Sequence, residues 1–300
     1  MEKIEFGGWD NCYKLTNGII ELIVTSDVGP RIIYLGFIGS KNFFKTESSQ
    51  MGKINQEFWM SFGGHRLWHT PEDSKRTYYP DSKPIEVTED NDIIRLTQYI
   101  EPTTGIEKSI TIQIDKTRAL VKLDHKLTNR GIWPIKTSAW AITVMAQGGK
   151  AVIPLPPRGS HPNFLLPSNT LAIWPYTNLS DPRWRFGFEN IFLQQDPANE
   201  APQKIGLFSI DGWLAYNNNN ELFIKLTQSN SKEKYPDLGS NLEVFTNSKM
   251  LELESLSPMT LVAPNESILH TEVWYVQQNI PEIVTDRDVE RYIRDVINSL

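Results

Sequence analysis

Apolar and polar residues alternate with period two in short runs along the whole chain: 19–24, 31–38, 93–99, 110–114 and 121–127, then 135–145, 151–154, 171–174, 205–210, 222–227, 242–245, 250–256 and 268–276. Successive side chains on a strand point to opposite faces, so each run predicts a strand with one buried and one wetter face. Turn-forming clusters such as Thr16-Asn17-Gly18, Asp27-Val28-Gly29-Pro30, Thr128-Asn129-Arg130-Gly131 and Ala263-Pro264-Asn265-Glu266 separate them, and Asn217 to Asn220 reads as a hairpin tip. Helical spacing is clear in one place: after a Thr285-Asp286 cap, Val289, Tyr292, Ile293 and Val296 form an apolar stripe, predicting a helix over 285–299 that docks on the edge of the strands. Many strands with no intervening helices exclude βαβ units and predict an all-β fold, a large antiparallel β-sandwich with a short C-terminal helix. No shift in composition marks a boundary, so 1–300 reads as one domain. The connection from Pro154 to Arg185 is too long for a simple turn, and it carries Trp174, Trp184 and Arg185, as functional loops often carry aromatic and basic residues.

Composition narrows the partners. The net charge is −6 and no block of lysine or arginine occurs, so neither nucleic acid nor an anionic membrane is expected. Cys12 is the only cysteine, which leaves no internal disulfide framework, and the first residues lack a basic stretch followed by an apolar run. A cytoplasmic protein is the expectation. The 9 Trp, 10 Tyr and 13 Phe supply flat rings that either fill a sandwich interior or stack on the apolar faces of pyranoses.

Chemistry concentrates in two places. On the strand 250–256, Glu252 and Glu254 share one face and Leu251 and Leu253 the other; residues two apart lie about 6.5–7 Å along a strand, near enough for both carboxylates to address one polyol. The next strand puts His270, Glu272 and Trp274 on one face. These polar residues read either as the wet face of a sheet or as an acid–base groove. The second place is Gly63-Gly64-His65-Arg66-Leu67-Trp68-His69-Thr70-Pro71-Glu72, where the Gly-Gly pair suggests a bend that aims His65, Arg66, Trp68 and His69 into a cleft. His65 and His69 would share a helix face as a metal pair, but Pro71 and the glycines oppose a helix, and no metal site is expected. His125 lies on the apolar side of its strand and reads as a core histidine. No phosphate loop, dinucleotide fingerprint or nucleophile elbow occurs, and no cofactor is expected.

Leu253-Glu254-Ser255-Leu256-Ser257-Pro258 resembles the Leu-Glu-Thr-Gln-x-x-Pro strand of the galactose mutarotase-like superfamily, the aldose 1-epimerases and their divergent relatives. Pro264-Asn265-Glu266-Ser267 leading to His270-Thr271-Glu272-Val273-Trp274 is similar to the turn and last long strand of those proteins, and Val28-Gly29-Pro30-Arg31-Ile32 to their opening bend. The cluster around His65 resembles an uncharacterised branch. The resemblance implies a supersandwich that binds a monosaccharide or oligosaccharide, with Glu254 as general base and His65 or His69 as acid. Arg66 looks like the arginine that binds sugar hydroxyls in relatives, and further sugar contacts are expected from Trp68, Trp140, Arg185, Glu252 and His270. One departure bears on catalysis: Leu127-Thr128-Asn129-Arg130-Gly131 runs on to Ser138-Ala139-Trp140-Ala141 without the histidine that supplies the acid in epimerases. Three functions stay open: anomer interconversion, carbohydrate binding without catalysis, and a lyase or hydrolase using Glu252, Glu254 and Glu272, whose retaining form needs two carboxyls about 5–5.5 Å apart.

Overall fold

The computed structural model describes residues 1–299, and they form two ten-stranded sheets and one two-stranded ribbon with antiparallel pairings throughout. In the first sheet the N-terminal meander Glu2–Phe6, Trp9–Thr16, Ile20–Thr25 and Arg31–Phe37 is followed in space by His65–His69 and then Ala139–Met145. Leu251–Leu256, Leu242–Thr246, Gln203–Leu207 and Leu171–Ile173 complete it. The second sheet runs from Trp184–Phe186 through Asn190–Gln194, Lys150–Pro154, Trp213–Asn218 and Glu221–Thr227 to the long strand Ser267–Gln278. It then continues through Leu120–Asn129, Ile106–Ile114, Ile93–Thr97 and Glu86–Asp90.

The core lies between these sheets. Leu22, Ile32, Leu67, Met145 and Leu253 of the first meet Ile110, Leu123, Phe223 and Trp274 of the second. Burying each of these large side chains contributes roughly 1.5–3 kcal/mol, which is why the alternating pattern selects one face of every strand. The all-β sandwich expected from that pattern is the architecture observed, and the strand Leu251–Leu256 falls within its expected limits. Trp213–Asn218 and His65–His69 escaped the periodicity because they are buried on both faces, which erases the alternation. The Asn219-Asn220 tip is a hairpin turn with φ of 50° and 60°.

The C-terminal helix begins at Asp286 behind a capping box in which Thr285 Oγ1 accepts from the Asp288 amide while the Asp288 carboxylate accepts from the Thr285 amide. It widens to a π-helix over Glu290–Arg294. Its apolar stripe docks on the outer face of the second sheet rather than at an edge, because Val152, Phe192 and Trp213 present an apolar outer surface there to Val289 and Ile293. No helix among the described residues is long and apolar enough to cross a membrane.

Candidate functional site

Period two divides the Gly63–His69 motif between the two faces of the first sheet. The tight φ > 0 conformations of Gly63 and Gly64 lead into a strand, not a loop, so consecutive side chains diverge. Leu67 enters the core with His65 and His69, whereas Arg66 and Trp68 emerge on the outer face. In register beside them on Ala139–Met145, Trp140 sits opposite Trp68 and Ile142 opposite Arg66. Beyond that strand, Ile142 is opposite Glu254 and Val144 opposite Glu252. Arg66, Trp68, Trp140, Ile142, Glu252 and Glu254 therefore share one face.

That face carries a cleft of about 450 Å³. Its floor is Trp68, Trp140 and Ile142; Trp59, Tyr78, Trp174 and Tyr176 rise from loops to wall it. Trp68 meets Trp59, Tyr78 and Trp140 edge to face, with centroids 5.0, 4.8 and 5.4 Å apart. The Arg66 guanidinium lies 4.5 Å from the Trp68 ring and 5.3 Å from that of Trp59, and its Nη2 donates to Glu252 Oε1 at 3.0 Å. Its Nε and Nη1, and Trp59 Nε1, are buried donors without partners among the described residues. At the rim, Tyr78 Oη donates to Glu72 Oε1 at 2.5 Å.

A charged relay closes one end. Lys204 Nζ lies over Trp140 and Trp174, 4.7 Å from each ring, and 2.8 Å from both Glu254 Oε2 and Glu243 Oε2. Trp140 Nε1 donates to the same Glu254 oxygen at 2.7 Å, while Glu254 Oε1 has no partner. Burial raises both carboxyls, Glu243 most, because one ammonium cannot fully offset the desolvation of two anions. Burial also works against the Lys204 charge, but the two carboxylates outweigh it and hold its pKa well above the ordinary lysine value. Tyr78 and Tyr176 are partly exposed at the cleft mouth, and partial desolvation raises both phenols above the ordinary tyrosine value, so each carries its proton at neutral pH.

The histidines are elsewhere. His65, His125 and His270 are fully enclosed between the sheets, where His65 Nε2 lies 2.7 Å from His125 Nε2 and His125 Nδ1 donates to the His270 carbonyl at 2.9 Å. Ser255 Oγ bridges His270 Nε2 and the Glu272 carboxylate, and Glu272 pairs at 2.8 Å with Lys225. His69 faces the same interior and burial depresses it to about 3. The expected grouping of His65, His69 and His270 with Arg66 and Glu254 is thus corrected: their strand parity turns them to the opposite face. Glu272 goes with them, so a carboxylate trio of Glu252, Glu254 and Glu272 is not assembled. His65, His125 and Glu272 have ligand atoms within 4.8 Å of one another, but the Lys225 ammonium already neutralises that carboxylate. Arg185 lies on the far edge of the second sheet, donating to the Val284 carbonyl and stacking on Phe192, remote from the cleft lining.

Lys204, Glu243, Trp59, Tyr78 and Tyr176 were not anticipated. Glu243 had a visible signal, since 242–245 alternates as 250–256 does and places Glu243 beside Glu254 in the paired register. Trp174 and Tyr176 do come from the long 154–185 connection.

No protein-family model matches the chain, and no curated protein matches it. Solved structures share its fold. A candidate aldose 1-epimerase from Klebsiella pneumoniae aligns with a TM-score of 0.63 at 11% identity, over 99% of this chain and 86% of that one. A galactose mutarotase-like protein from Lactobacillus casei gives 0.61 at 8% identity, over 89% of this chain and 100% of that one. A candidate aldose 1-epimerase from Escherichia coli gives 0.52 at 12%, over 89% and 99%. The chain has the galactose mutarotase-like fold in a divergent form, and identities this low speak for the fold alone.

Proposed function

We propose that the outer-face cleft binds a saccharide. The observation that carries this reading is the Arg66 guanidinium held between Trp59 and Trp68 and tied to Glu252 while two of its nitrogens lack partners. Indole faces suit the C–H faces of a pyranose, and a fixed guanidinium fork offers donors to its hydroxyls. The similarity in fold to mutarotase-like proteins supports the same reading. Titration calorimetry against a panel of aldoses and oligosaccharides tests it, with Trp174→Ala as the control. This half-buried loop residue can lose its ring without opening the core, and the variant should bind at least about fivefold more weakly if stacking contributes roughly 1–3 kcal/mol.

A second reading, anomer interconversion, is favoured by one atom: Glu254 Oε1, an acceptor without a partner among the described residues. It is fully buried beneath the Trp140 floor and outside the cleft lining, so this reading also requires the floor to open. Glu254 would take the proton from the anomeric hydroxyl, and a cleft phenol, Tyr78 or Tyr176, would serve the ring oxygen in place of a histidine. Glu254→Gln keeps an acceptor for Trp140 and should retain sugar affinity while the rate falls by roughly 10²-fold or more. Polarimetry on freshly dissolved aldoses decides. Equal rates for protein, variant and buffer, with binding intact, would leave the binding function alone.

A further inference from the structure

The charges that line the cleft, together with the buried carboxylates paired to them from behind, are nearly all committed to one another, and their sum is negative. Arg66 is neutralised by Glu252 at 3.0 Å. Lys204 touches two carboxylates, Glu243 and Glu254, one more than it can neutralise. Glu72, exposed at the rim, receives only the neutral phenol of Tyr78 and makes no ion pair among the described residues. Two cations thus meet four carboxylates, two lining the cleft (Glu72 and Glu252) and two buried behind Lys204 (Glu243 and Glu254). Retention of one proton on Glu243 still leaves an excess of negative charge, carried by Glu72 at the rim.

What the cleft offers instead is neutral hydrogen bonding. Arg66 Nε and Nη1 and Trp59 Nε1 are unpaired among the described residues but buried, and the charge behind the guanidinium is already spent on Glu252. A phosphate or carboxylate needs an uncompensated cation to repay its lost hydration, and no such group lines this cleft among the described residues. A hydroxyl needs only donors and acceptors, and a ligand ammonium would find Glu72 Oε2 open.

We propose that the cleft selects saccharides without anionic groups: it rejects sugar phosphates and uronates and accepts an amino substituent at the Glu72 end. The inference rests on the carbohydrate reading above and deepens it.

The test is calorimetry on the full chain at low salt with glucose, galactose and mannose, each alongside its 2-amino, 6-phosphate and uronate forms. For any sugar that binds, the amino form should match or exceed the parent. The phosphate and uronate should be weaker by about tenfold or more, with the gap narrowing as salt rises because a rim carboxylate is screened. Glu72→Gln, an exposed change outside the core, should shrink that gap by roughly threefold. A phosphate or uronate that binds as tightly as its parent overturns the proposal while leaving carbohydrate binding intact. A gap indifferent to salt and to Glu72→Gln overturns the charge argument, since size would then be the cause. Absence of binding by every form, charged and uncharged, overturns the carbohydrate reading and this inference with it.

Discussion

Two buried lysines set the chemistry on either side of the first sheet. Lys225 occupies the interior, where its ammonium donates to the carbonyls of Ala141 and Leu253 and pairs with Glu272. Burial pushes its pKa down, and Glu272 opposes that push. Removing the carboxylate therefore strands a cation in the core: Glu272→Ala should cost about 3–5 kcal/mol in urea unfolding, far more than an exposed Glu→Ala. Lys204 makes the mirror arrangement under the cleft, with two carboxylates on one ammonium. Which single residues were legible in the sequence follows from this. Glu252 and Glu254 were visible because charges recur at every second position of an apolar strand. Lys204 was not, because a lone lysine between Gln203 and Ile205 looks like any solvated residue until its strand is seen beside Leu242–Thr246.

At the scale of elements, the five residues His65–His69 decide what faces the cleft and what faces the core. Gly64 admits the chain to this strand at φ 69°, with the backbone of Ile32 and Ile33 packed where a Cβ would stand. Gly64→Ala should therefore lower stability by roughly 1–3 kcal/mol and shift the thermal midpoint down by several degrees. A melting curve unchanged by this substitution would show that the strand entry tolerates a side chain. The motif was legible as a functional cluster but not as a strand, since all five residues are buried and no polar face marks the period. Reading it as a bend joined Arg66 with His65 and His69; reading it as a strand separates them. The same parity places His270 with Ser255 rather than with Glu254.

For the whole molecule, the interlayer histidines make folding sensitive to acid. Burial lowers His65, His69, His125 and His270 below the usual 6.5, with His69 and His270 near 3. The unfolded chain takes up these protons near pH 6.5 while the folded chain refuses them. Stability is thus full above that pH and is lost as pH falls from there toward 3, at up to about 1.4 kcal/mol per pH unit for each histidine. Urea midpoints should drop clearly between pH 7.5 and pH 5; a flat profile would mean that the histidines gain protons without unfolding. The two sheets, their antiparallel order and the mutarotase-like fold were legible in the alternation and the short motifs. The cleft walls were not, because Trp59, Tyr78 and Tyr176 arrive on loops whose course no periodicity encodes.

Saccharide binding in this cleft is tested by a crystal structure of the protein soaked with an uncharged aldose at saturating concentration. A pyranose is expected in the outer-face cleft, against the Trp68 and Trp140 rings and within hydrogen-bond reach of Arg66. A saccharide bound elsewhere with this cleft left to solvent would contradict it.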